Sequence, residues 1–77
     1  MNINVVFKGY PSLETRKIDL DTDTNMSELM EHLEDLLSVE NGKLYRDEDG
    51  TQLLHDNLTI ENSGLLENCN IYCIKSN

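Results

Sequence analysis

Cys69, Cys73, His32 and His55 carry the donor atoms that a zinc ion favours. A closed zinc site draws its four donors from closely spaced pairs, and these residues do not follow that spacing. The cysteines stand four positions apart in the alternating segment "CNIYCI". On a strand rising roughly 3.3 Å per residue their Cα atoms lie about 13 Å apart, beyond the limit of about 7 Å for a disulfide. Cys73 shares a strand face with Ile71 and is expected in the core, and His32 sits among helix acids on the polar side. The reading is one small buried thiol and two surface imidazoles, with no metal and no cofactor.

The segment "YRDEDGTQLLHD" invites a calcium reading, because an EF-hand loop places oxygen ligands at fixed offsets around a glycine. With Gly50 at the sixth position, Asp47 and Asp49 fall on ligand positions. Tyr45 then stands first and Asp56 last, so the first ligand and the bidentate glutamate are both missing. Asp and Gly in a turn between strands explain these letters without metal. Nucleophilic catalysis needs a desolvated pocket in which acid, base and nucleophile converge. No such set is visible, and an enzyme is not expected.

The elements that position these residues follow from hydrophobic period. Ile3, Val5 and Phe7 alternate with Asn4, Val6 and Lys8, a period of two that suits a strand with one buried face. Gly9-Tyr10-Pro11-Ser12 breaks it, and Leu13 to Leu20 reads as a returning strand with Ile18 and Leu20 inward. The period then lengthens: Met26, Leu29, Met30, Leu33, Leu36 and Leu37 recur at three-to-four spacing, which predicts a helix over about 26–39 with one apolar stripe. Asn25 and Glu28 can form a capping box, and Asn41-Gly42 supplies a left-handed stop. Lys43 to Arg46 reads as a short strand, Asp47 to Gly50 as a turn, Thr51 to Leu54 as a short return, and Asn70 to Ile74 as a last strand.

With 77 residues and 38% hydrophobic content the chain is expected to form one domain over 1–77, burying only about 60% of its unfolded surface. Without Trp and with a single Phe, aliphatic side chains must carry the packing. No apolar run nears the ~20 residues of a membrane span, and "MNINVVFKGYP" lacks the apolar core of a secretory signal. The chain is read as mature from Met1, and with two free thiols it is expected in the cytoplasm. Fifteen acids against six bases give a net charge of −9, which disfavours nucleic acid and anionic membrane surfaces as partners. The charge is uneven: eight acids and no Lys or Arg lie between Ile18 and Gly42.

The order strand, strand, helix, strand, short strand, strand resembles the ubiquitin-like β-grasp fold. The resemblance is densest near the end of the chain. There Ile60, Glu61-Asn62-Ser63, Gly64, Leu65, Leu66 to Asn70 and Ile71-Tyr72-Cys73-Ile74 repeat the family's succession of aliphatic, polar residues, turn, aliphatic, polar turn and alternating strand. The resemblance implies an α+β architecture: a mixed sheet of four to five strands in ββαββ order packed on one helix. It also implies a non-catalytic module for protein–protein interaction, acting as monomer or weak dimer. Conjugated relatives and sulfur carriers thread a flexible Gly-Gly tail into their enzymes, and only glycine allows so narrow a chain. Here Ile74 is followed by Lys75-Ser76-Asn77, so a modifier or sulfur carrier, the first alternative, would require a longer precursor. Among tailless relatives, size and ending are similar to the YukD-type proteins of bacterial type VII secretion, which implies a cytosolic accessory component. The acidic turn also resembles that of PB1 interaction domains, a second alternative. Those domains usually carry another helix after it, where "TQLLHDNLTIENSG" is a poor one.

Under this fold the residues between the inward positions face away from the helix. Val6, Tyr45, Tyr72 and Ile74 then gather on the open side of the sheet, with Lys43 and Lys75, together with Lys8 and Lys17, on or beside it. Tyr45, Tyr72 and Ile74 match the recognition patch of the family. Aromatics and aliphatics exposed together give large contact area at small entropic loss, and these residues are expected to bind a protein partner while the helix acids Glu28, Glu31, Glu34 and Asp35 stay solvated.

Overall fold

The structure, a computed structural model, describes residues 1–76. Five elements follow in order: β1 (Asn2–Lys8), β2 (Arg16–Asp19), α1 (Met26–Leu37), β3 (Gly42–Tyr45) and β4 (Asn70–Lys75). The strands form one sheet in the order β2-β1-β4-β3. The two ends of the chain meet at its centre, where β1 and β4 run parallel, while β2 and β3 flank them antiparallel. The expected ββαββ succession is therefore present, with four strands.

Register converts the alternation into a core. Ile3 faces Ile18, Val5 faces Ile71, and Phe7, Cys73 and Leu44 form one cross-strand row. These side chains meet Met26, Leu29 and Leu33 of α1, and Leu54, Ile60 and Leu65 of the long segment before β4 close the remaining side. Cross-strand pairs of this kind are the packing unit of a sheet, and burying each large aliphatic contributes about 1.5–3 kcal/mol before entropy.

The first amides of α1 lack partners within the helix, and three sources satisfy them. The Asn25 side chain accepts from the Glu28 amide at 2.8 Å while the Glu28 carboxylate accepts from the Asn25 amide, completing the capping box. The Met26 and Ser27 amides donate to the carbonyls of Leu58 and Asp56 at 2.9 and 3.0 Å. Those two bonds pull residues 56–58 across the start of the helix.

Several expected boundaries are corrected. The helix stops at Leu37, short of the expected 39, because Ser38 adopts the left-handed conformation at φ 55°. Leu36, expected in the buried stripe, is 53% exposed; the chain leaves the helix before a neighbour covers that flank. The second strand begins only at Arg16, with Leu13 packed against the core outside it. Thr51 to Leu54 makes no strand: it contributes one bridge, Leu53 to Tyr45, and two hydrogen bonds to Leu44 and Arg46 before turning away toward the helix. Of the expected Asn41-Gly42 stop, Asn41 takes a left-handed φ of 55° but lies beyond the Ser38 cap, while Gly42 is the first residue of β3 and its role is spatial. A Cβ there would lie 2.7 Å from the Tyr10 hydroxyl and 2.9 Å from the Cys73 sulfur.

Candidate protein-binding face

The side of the sheet turned from the helix carries two adjoining rows. Val6, Tyr72 and Tyr45 stand opposite one another across β1, β4 and β3, and the next row is Lys8, Ile74 and Lys43. Directly opposed strand residues place their Cβ atoms about 4.5–5.5 Å apart, so the four apolar and aromatic side chains form one continuous patch. Each is half-buried rather than open, because each is packed by its neighbours in the rows. Lys17 lies further along the same face, opposite Asn4.

Lys75 does not join them, a correction to the expected set. Alternation from Ile71 and Cys73 turns it to the helix side of the sheet, where its ammonium rests 5.9 Å from the centre of the Tyr10 ring. The patch therefore consists of Val6, Tyr45, Tyr72, Ile74 and Lys43, with Lys8, expected on or beside this face, standing inside it.

The acidic turn shapes one border of this face. Asp47 accepts from the Thr51 and Gln52 amides at 3.0 and 2.8 Å and from the Thr51 hydroxyl. These bonds, the hydroxyl's above all, hold its carboxyl below the usual carboxylate range. So anchored, the turn leans over the patch: the Lys8 ammonium donates to the Glu48 carbonyl at 3.0 Å, and a Cβ on Gly50 would come 3.0 Å from Ile74. Patterning disclosed the rows, but not this lean; the only local signal is the positive φ of 72° that Gly50 permits.

The residues first read for metal chemistry are placed apart. Cys73 is fully buried, Cys69 half-buried, and His32 and His55 exposed. No group of three or more His, Cys, Asp or Glu among the described residues is arranged to hold a metal ion. Burial pushes the Cys73 thiol up to about 11, so it is a protonated core side chain rather than a nucleophile. Beside it Tyr10, whose hydroxyl donates to the Glu40 carbonyl at 2.7 Å, is raised to about 12 by burial and then by Cys73. The helix acids Glu28, Glu31, Glu34 and Asp35 are exposed.

No protein-family model and no curated protein matches the chain. Solved structures do. The C-terminal ubiquitin-like domain of human 2'-5'-oligoadenylate synthetase-like protein superposes with a TM-score of 0.78 at 17% identity, covering 99% of this chain and 83% of that one. Ubiquitin of Caldiarchaeum subterraneum gives 0.81 at 14% identity, covering 100% and 94%. A chain of the pParkin–pUb–UbcH7 complex gives 0.79 at 16% identity; the match covers 99% of this chain but only 23% of that longer one. Among the described residues no helix is long and apolar enough to cross a membrane. The element order, the parallel pairing of first and last strands and these superpositions together establish that the chain has the ubiquitin-like β-grasp fold.

Proposed function

We propose that the chain is a non-catalytic protein–protein interaction module that binds its partner through the open sheet face. The observation that carries this reading is the pair of adjoining rows, Val6–Tyr72–Tyr45 and Lys8–Ile74–Lys43, which sets apolar contact area beside cationic side chains on three neighbouring strands. Rigid aromatics within a partly desolvated patch are what binding hot spots are made of. The setting we propose is a cytosolic accessory component of a larger assembly such as a bacterial type VII secretion system. The ubiquitin-like fold is compatible with that setting.

The experiment compares wild type with a Tyr72→Ala/Ile74→Ala double variant as immobilised baits against the purified soluble components of such a secretion system. Circular dichroism first checks that the variant is folded. Retention of a component by wild type and its loss on the variant is the expected result. Retention by both removes the sheet face from the proposal, and retention by neither removes the secretion setting.

A further inference from the structure

A second surface lies at the outer edge of β3, away from the face just described. Residues 52–54 begin to pair with that edge: the Arg46 amide donates to the Gln52 carbonyl at 2.8 Å and the Leu54 amide to the Leu44 carbonyl at 2.9 Å. The chain then peels off, because the Asp56 and Leu58 carbonyls are taken by the first amides of α1. Where it departs, a groove of about 200 Å³ opens between helix and strand. Met30 and Leu53 give it accessible apolar surface over the buried Met26, Leu44 and Leu54; Gly42, with no side chain, borders it, and Lys43 and His55 also line it.

Two features specify an occupant. Along β3 the backbone groups of alternate residues point to opposite sides, and Leu44 directs its carbonyl to the outer edge. The amide and carbonyl of Gly42 therefore turn outward too, next to the groove and beyond the cover of residues 52–54. The helix-side rim is acidic: Ser27, Glu31, Glu34 and Asp56 line a depression that shares Met30 and Asp56 with the groove.

We infer that this groove is a second docking site, which takes an extended polypeptide segment carrying an apolar residue with lysine or arginine two positions away, on the same face of the added strand. The segment adds to the β3 edge at Gly42, seats its apolar side chain on the methionine and leucine floor, and directs its cation to Glu31, Glu34 and Asp56. Edge addition supplies main-chain hydrogen bonds and the floor supplies selection of alternate side chains. Methionines adapt such a floor to different apolar shapes.

The test is a titration of nitrogen-15-labelled protein with a short, capped synthetic peptide that has a central leucine, a lysine two positions to either side of it and threonine between them. A control peptide carries glutamate for every lysine. Amide shifts centred on Gly42, Met30 and His55, with affinity falling about tenfold or more for the glutamate peptide, are expected from charge complementarity at the rim. Glu31→Lys/Glu34→Lys, both exposed positions, is expected to weaken the lysine peptide similarly, and Met30→Lys to abolish binding. The Tyr72→Ala/Ile74→Ala variant is expected to bind it as wild type does, which separates this groove from the sheet face. Shifts on Val6 and Tyr72 instead, equal affinity for both peptides, or no binding at millimolar peptide would each overturn the inference. So would concentration-dependent shifts at Gly42 without peptide, which would make a second copy of the chain the occupant.

Discussion

Within β4, Ile71 and Cys73 are completely buried on the helix side, while Tyr72 and Ile74 alternate with them on the other side and stay half-buried among cations. One strand thus serves two ends at once. Its inner residues are held by packing from the helix, from β1 and β3, and from the long segment before it; its outer residues have only their cross-strand neighbours. The inner side is where substitutions should alter stability, and the outer side is where they should alter association with little effect on folding.

The comparison is broken most directly by Ile71→Ala. Removing a fully buried isoleucine from the sheet centre is expected to destabilise by about 2–5 kcal/mol, a large share of the ~5–15 kcal/mol of a typical domain, read as a lower urea midpoint with an unchanged m-value. Gly42→Ala comes next. The added methyl meets the Tyr10 hydroxyl and the Cys73 sulfur, and it must displace Tyr10 from its bond to the Glu40 carbonyl or crowd the core, with an expected loss of about 1–3 kcal/mol. Tyr72→Ala and Ile74→Ala should each cost about 1 kcal/mol or less, the span of strand preference on an open face. If either matched Ile71→Ala in urea, the division between the two sides of β4 would be wrong.

The smallest effect at neutral pH sharpens the comparison from the inner side. Cys73 and Tyr10 are acids whose ordinary values of 9.0 and 10.0 rise to about 11 and 12 in the folded chain. The folded state therefore holds both protons longer than the unfolded state does. Their contribution is intact below about pH 9 and is lost as pH rises through 11 and 12. The urea midpoint is expected to be flat from pH 7 to 8.5 and to fall above it, less steeply in Tyr10→Phe.

Much of this was legible because local pattern and tertiary demand agree. The Ile3-Val5 and Ile71-Cys73 alternations and the Asn25–Glu28 capping box describe elements that the whole fold also requires. Lys75 was equally legible, since the alternation that buries Cys73 places it on the helix side. Leu36 was not legible, because helical spacing marks a stripe without saying where its covering neighbours end. Nor was the fate of residues 51–58. Their letters suit a returning strand, but the unfilled amides at the start of α1, distant in sequence, draw the chain away after Leu54, and the groove beside Gly42 is a product of that diversion.

The parallel contact between β1 and β4 also bears on how the molecule is made. β1 lacks its central neighbour until β4 has emerged from the ribosome, and β3 waits on the same partner. Until then only the β1–β2 hairpin and the helix can assemble, neither with a closed core behind it. Closure of the sheet must therefore wait for β4, and its rate is governed by the long sequence separation between β1 and β4.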